Sequence, residues 1–332
     1  MNKRINWIDM AKGYGTILVI LGHLIKSGFV RYEIYSFHMP LFFFLAGYVF
    51  SPTKYNCKDF ITKKLRTLIV PYFFMGTIIS FCMWIFHGEY SLSDFIDCFV
   101  PLFVQKRFQA IWFLTCLFFT EIIMFLLVKI THNNYKKLLV TSCIMAILGF
   151  FYYELSFEAL PWNIDICLIA IFYFTIGYIT KQTQLFEKAG LFSAKKIIII
   201  TGILLQFSLV AINAYIFNDY PDMFYNRYAC IPITLLASIL GIALIVYISN
   251  LKCIKPISYI GKHSLIYFGW HNALIIPILT IVYKALGIFQ TPDTPISCTI
   301  YVLVTTILLV ALLTIVDVLI RKTKLKLFLG IK

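Results

Sequence analysis

Ten apolar segments, most of them about 20 residues long, divide this chain, and a helix of about 20 residues spans the hydrocarbon core of a bilayer. They run roughly over Trp7–Ser27, Tyr35–Phe50, Leu65–His87, Ala110–Ile130, Leu138–Tyr153, Trp162–Thr180, Ile197–Phe217, Tyr228–Ser249, Ser264–Leu286 and Ser297–Ile320. A soluble fold has no place for so many. The chain is 61% hydrophobic and 13% charged, whereas soluble domains are about half apolar and about a quarter charged, and a core needs polar surface around it. The expectation is an all-α integral membrane protein of about ten transmembrane helices. It forms a single domain over residues 1–332 with no appended soluble domain. The second, fifth and sixth segments are short, which implies tilt in a thinned region or partial re-entry. The N-terminus looks like a signal peptide, but Asp9 and Lys12 interrupt its apolar run and no small-residue cleavage site follows Gly22. It reads as a retained first span.

Charge sets the topology. With ten spans, residues 1–6, 51–66, 129–137, 181–196, 250–262 and 321–332 share one side and carry 22 of the bases. The opposite side keeps six: Lys26, Arg31, Lys106, Arg107, Arg227 and Lys284. By the positive-inside rule both termini are cytoplasmic. The acids Glu33, Glu89, Asp94, Asp97, Glu154, Glu158, Asp219, Asp222 and Asp293 fall on the outer side. The net charge of +14 is therefore spread over short loops, unlike the single basic patch of a nucleic-acid-binding surface, and no nucleic-acid partner is expected. In the longest outer connection, about His87 to Gln109, Ser91-Leu92-Ser93-Asp94 signals the start of a surface helix. Nine cysteines occur without CxxC or Cys/His ligand spacing, so they read as small buried hydrophobes and no metal is expected.

The first span carries the chemistry. A charge near a helix centre costs about 2.5–3.5 kcal/mol on insertion scales, yet this segment holds Asp9, Lys12 and His23. Eleven residues at 100° each bring Lys12 and His23 to within about 20° of one another, about 16 Å apart along the axis. Asp9, three residues before Lys12, shares that side and can pair with it. Gly13, Gly15 and Gly22 leave room for a close neighbour. The plain alternatives are an interfacial ion pair for Asp9–Lys12 and a helix-end histidine bonded to a carbonyl for His23. In the second span Pro40 reads as a helix starter with His38 just outside it.

A basic residue, ten intervening residues and a histidine, followed by Phe37-His38-Met39-Pro40-Leu41-Phe42-Phe43-Phe44-Leu45-Ala46-Gly47-Tyr48, resembles the acyltransferase-3 family of membrane O-acyltransferases. The nearest likeness is to its short forms, the fucose O-acetylase-like and capsule- or adhesin-modifying members. Lys63-Lys64-Leu65-Arg66 with Pro71-Tyr72, Ile111-Trp112-Phe113-Leu114, and Gly261-Lys262-His263-Ser264-Leu265-Ile266-Tyr267 followed by His271 extend the likeness over nearly the whole chain. Lys12 stands where many members have Arg, and an ammonium lacks the planar fork of a guanidinium.

The resemblance implies that an acyl group, acetyl from acetyl-CoA, passes from the cytoplasmic side to a hydroxyl of an extracytoplasmic or polyprenyl-linked glycan. The setting would be the bacterial cytoplasmic (inner) membrane. Acetyl-CoA would be a donor substrate, with no permanently bound cofactor. Envelope-polysaccharide synthesis machinery or a second copy of the chain would be companions. Lys63, Lys64 and Arg66 would dock the anionic donor. Its pantetheine arm would run along the Asp9–Lys12 side of the first span to His23. His23 would serve as general base or as transient acyl carrier. Trp112, His38, His271 and Asn272 would hold the acceptor. The other reading is a transporter or flippase for a lipid-linked sugar or another solute; a third is a structural partner in an envelope-polymer complex. Glu121 reads as a hydrogen-bonded packing group, Asp165 as interfacial, and Asp317 with Arg321 as a helix-end ion pair. His87, His132 and His263 lie at span ends.

Overall fold

The computed structural model describes residues 5–87, 90–288 and 294–330. Lys3, Arg4, Glu89, Asp293 and Lys332, used in the charge pattern, lie outside them, as does the side chain of His87. The described residues form helices and connecting turns, with one isolated bridge between Asp222 and Arg227.

In chain order the helices are α1 (Asn6–Leu24), α2 (Phe29–Val49), α3 (Cys57–Lys64), α4 (Val70–His87), α5 (Leu92–Val104), α6 (Trp112–Ile130), α7 (Tyr135–Glu154), α8 (Ile164–Thr183), α9 (Leu185–Lys188), α10 (Lys196–Ala211), α11 (Ile231–Leu251), α12 (Lys255–Lys262), α13 (Ser264–Trp270), α14 (Ile276–Ala285) and α15 (Pro295–Arg321). Eight continuous stretches are long and apolar enough to cross a bilayer: Cys57–Phe86, Trp112–Ile130, Tyr135–Glu154, Pro161–Thr183, Lys196–Ile216, Ile231–Leu251, Ser264–Ala285 and Pro295–Arg321. This is a multi-pass membrane protein. Helices α1 and α2 match these in length but are less apolar, because they carry Asp9, Lys12, His23, Arg31, Glu33 and His38.

Those two polar helices lie inside the bundle. Both glycine contacts that seat them are backbone to backbone. Gly47 of α2 faces the Phe174 carbonyl of α8, and Gly177 of α8 faces the Phe44 carbonyl of α2. Likewise Gly13 of α1 meets the Ile257 carbonyl of α12, and Gly261 of α12 meets the Asp9 carbonyl of α1. A methyl group at any of the four would strike main chain, the close approach by which small residues join membrane helices.

Three segments are π-helical: Leu65–Ile69, Ile212–Ile216 and His271–Ile275. The first and third each stand two residues before a proline, Pro71 and Pro277, whose ring would otherwise clash with the preceding turn. The third puts His271 at a widened turn in the middle of the span.

Pro40 does not start a helix as its sequence setting implied. It sits inside α2, with His38 helical beside it. Proline cannot bond the carbonyl four residues back, that of Ser36. The Ser238 hydroxyl of α11 supplies the missing donor at 2.6 Å. The second span is also longer than the apolar run, because Arg31 and Glu33 are absorbed into its first turns. The basic stretch before the third span is not a loop throughout: Asn56 caps α3, its side chain accepting from the Asp59 amide at 2.8 Å.

Beside Gly261, at the C-terminal end of α12, Asp317 of α15 is fully buried. It accepts from Tyr259 Oη at 2.9 Å, from His263 Nδ1 at 2.6 Å and from Arg321 Nε at 2.8 Å. The expected Asp317–Arg321 pair is thus one part of a larger clamp. That clamp ties the end of α15 to α12 and, through the glycine contact, to the start of α1.

Candidate active site

The side of α1 that carries Lys12 and His23 is turned into the protein. Between them on that side, Thr16 and Val19 are buried, while Lys12 and His23 are half-buried. At the His23 end lies a chamber of about 300 Å³, within the range of small-ligand sites. His23, His38, Trp112 and Asn272, four of the residues singled out in the sequence, line it. His271 is fully buried behind them, its ring 4.8 Å from that of His23.

Local hydrogen bonds aim the imidazoles. His38 Nδ1 donates to the Ile34 carbonyl at 2.8 Å, because a carbonyl only accepts. His271 Nδ1 donates to the carbonyls of Phe268 at 2.8 Å and Tyr267 at 3.0 Å. Each Nε2 is left pointing away from its own helix, and that of His271 is buried without a hydrogen-bond partner. The histidines do not form a metal cage: among the described residues no three His, Cys, Asp or Glu side chains are grouped to hold an ion.

The rest of the wall comes from residues the sequence did not single out. Arg31 Nη1 donates to the carbonyls of Gly22 at 2.6 Å and Ile25 at 3.0 Å, capping the last turn of α1 beside His23. Its guanidinium also lies 4.1 Å from the centre of the Tyr35 ring, and that ring packs 4.9 Å from His38. Asp222, buried in the 217–230 loop, faces the chamber and accepts from the Phe224 amide at 3.0 Å. Burial pushes its carboxyl up to about 6, against the pull of Arg31 and Arg227.

Arg107 is another wall residue and pairs with Asp165 through two contacts, one of 3.1 Å. Asp165, which its place near a span end marked as interfacial, is buried within the protein and ion-paired. Asn163 completes the corner, accepting from the Arg107 amide at 3.2 Å and donating to Thr115 Oγ1 at 3.1 Å. Only distance along the chain hid these groups, since each looks like an ordinary loop charge until the loops fold over the chamber.

At the opposite end of the same side of α1, Lys12 lies within electrostatic range of Glu121 on α6. Glu121 is more than a packing group: its carboxylate pairs with Lys64 Nζ at 2.5 Å. Of the three bases expected to dock a donor, Lys64 is thus engaged in the protein. Lys63 donates to Tyr55 Oη at 2.8 Å, and Arg66 is exposed on the π-helical turn. Between this charged cluster and the chamber, the rings of Phe42, Phe113 and Phe268 close on one another. Their centroid separations are 5.8, 6.1 and 5.2 Å.

No curated protein and no solved structure matches the chain. The family described as an acyltransferase domain matches residues 5–321. That match takes in both ends of the polar side of α1, every wall of the chamber and the Lys64–Glu121 pair, and the chain belongs to acyltransferase family 3.

Proposed function

We propose that this acyltransferase moves an acetyl group from cytosolic acetyl-CoA to a hydroxyl of a glycan held at the far face of a bacterial cytoplasmic membrane. In this reading ten helices span, α1 and α2 among them, and both termini face the cytoplasm. The observation that carries it is the chamber around His23. It is a small, polar space lined by two imidazoles, a carboxylate, two guanidinium groups and a tryptophan, with a third imidazole, that of His271, buried behind His23, and it is set at one end of a polar helix side that begins among basic residues.

The donor is a polyanion, and Arg66 with Lys63 offers it an exposed basic dock on the face where α3 begins. Its arm follows the Lys12 side of α1 and must part the Phe42–Phe113–Phe268 cluster to bring the thioester to His23. Closed, that cluster keeps water from the thioester. The acceptor enters from the other face, with Trp112 offering an apolar surface for a sugar ring and Asp222 and His38 accepting from its hydroxyls. The acceptor oxygen attacks the thioester carbonyl carbon. The new C–O bond forms as the C–S bond breaks, and the proton passes to His23 and on to the CoA thiolate. Should His23 instead carry the acyl group, the imidazole forms the first bond and the sugar oxygen displaces it. Rapid mixing with labelled acetyl-CoA in the absence of acceptor separates the two, because only the carrier route labels the protein.

The test of the reaction itself is NMR of the purified surface glycan from cells with and without the gene. O-acetyl resonances that vanish with the gene support the assignment. Identical spectra, together with gene-dependent uptake or flipping of a sugar lipid, would replace it with the transporter reading.

A further inference from the structure

A second, larger cavity lies against the same last turn of α1. It has a volume of about 1080 Å³ and lies between the end of α1 with its connector to α2 and the facing surfaces of α14 and α15. The two spaces share the last turn of α1: His23 looks into the chamber, while Leu21 and Leu24 line the larger groove. Its walls are otherwise mostly apolar, with Phe29, Val302 and Leu303 among them. Two cations interrupt this surface, Lys26 on the connector and Lys284 at the end of α14, one from each wall. Both are exposed.

We propose that this groove holds the acceptor as a lipid-phosphate-linked sugar. The hydrocarbon chain lies along the apolar wall, the phosphate sits between Lys26 and Lys284, and the sugar reaches over the connector into the chamber. This rests on the acyl-transfer reading of the chamber and names the form in which its acceptor arrives. Charge and apolarity together select the ligand class, since a free glycan would leave the apolar wall unused and a neutral lipid would leave the lysines unused.

Chain length sets the register. His23 and Lys26 are three residues apart, so their Cα atoms are separated by at most about 11 Å. A phosphate at Lys26 therefore presents a sugar close to the lipid end, not a distant repeat of a polymer. On the connector Gly28 has φ +96°, a conformation suited to glycine, and nothing lies within 4 Å of where its side chain would be.

The experiment is native mass spectrometry of the full-length protein with undecaprenyl phosphate, phosphatidylglycerol or phosphatidylcholine, for the natural chain and for Lys26→Gln/Lys284→Gln. Lysines near a membrane surface each contribute about fivefold to the binding of an anionic lipid, so the double variant is expected to lose on the order of tenfold or more in affinity for undecaprenyl phosphate. Lys26→Arg/Lys284→Arg, which keeps both charges, should retain it. Equal binding of phosphatidylglycerol with equal sensitivity to the substitutions would overturn the proposal in favour of bulk anionic lipid. Undecaprenyl phosphate binding no tighter than phosphatidylcholine would overturn it outright. This readout needs no acyl transfer, so it fails or succeeds separately from the enzymatic reading. In an active preparation, the double variant should lose use of a lipid-linked acceptor while retaining use of the same sugar on a water-soluble carrier.

Discussion

The imidazoles of His23 and His271 lie 4.8 Å apart with their planes inclined by 59°. One comes from the last turn of α1 and the other from the π-helical turn ahead of Pro277. His271 donates through Nδ1 to two backbone carbonyls and keeps its Nε2 without a partner, in the manner of a group waiting to accept from a protonated neighbour. In the proposed reaction that neighbour is His23 after it has taken the acceptor proton.

Replacing His271 with Phe should therefore lower kcat by about 10- to 100-fold, the worth of a hydrogen bond to a charged group, while KM for either substrate changes little. Steady-state kinetics of the purified variant check this. A raised acceptor KM with unchanged kcat would instead make His271 a binding residue.

Asp222 predicts a pH dependence. Its carboxyl is pushed up to about 6 by burial and lies in the outer loop that faces the chamber. Only the ionised form is acceptor-only toward sugar hydroxyls. The acceptor KM should rise as pH falls through about 6, and Asp222→Asn should abolish that inflection. The stability effect has a definite sign. The folded value exceeds the ordinary 3.8, so between 3.8 and about 6 the native chain binds more protons than the unfolded one. Stability then falls as pH rises through that interval, and Asp222→Asn should flatten the decline in thermal unfolding curves.

The Arg107–Asp165 pair should matter far more than its neighbour Lys106–Glu158. Asp165 is 1% exposed and Arg107 12%, whereas Lys106 and Glu158 are 44% and 91% exposed. Asp165→Ala strands a buried guanidinium and is expected to cost about 3–5 kcal/mol. Glu158→Ala removes a solvated pair and should cost about 1 kcal/mol or less. Unfolding of both variants in detergent gives the comparison.

Arg66 and Lys64, two residues apart, should fail in different ways. Arg66→Ala removes an exposed charge from the proposed donor dock and should raise KM for acetyl-CoA severalfold with the acceptor KM unchanged. Lys64→Ala leaves the buried Glu121 without its 2.5 Å partner, so its first effect should be loss of stability. Binding of acetyl-CoA and thermal unfolding, measured on both variants, distinguish them.

Much of the fold is legible in the sequence because hydropathy is a local property. The eight long apolar helices coincide with eight of the ten expected segments to within a few residues, apart from the early start at Cys57. That start and the Phe29 end of α2 were obscured for one reason: charged residues continue a helix when another element satisfies them, as the carbonyls of Gly22 and Ile25 do for Arg31. Pro40 misled for a related reason, since the Ser36 carbonyl it leaves without a backbone donor is served by Ser238, 202 residues away from Ser36 along the chain. In the site, α1 and α2 disclose His23 and His38 by their polarity amid apolar neighbours. Arg31, Arg107 and Asp222 carry no such contrast, because charges are ordinary in loops. Their part in the chamber is set by how the 217–230 loop and the corner at Asn163 fold over it.

The account stands most directly on His23. Purified natural protein and His23→Ala, both inserted in bilayer discs, should be given radiolabelled acetyl-CoA and a glycan acceptor. The natural chain should transfer label to the acceptor. The variant, folded and inserted to the same extent, should fall by at least about 100-fold, the usual contribution of a general base. Transfer by His23→Ala at the natural rate would contradict the placing of the reaction in this chamber.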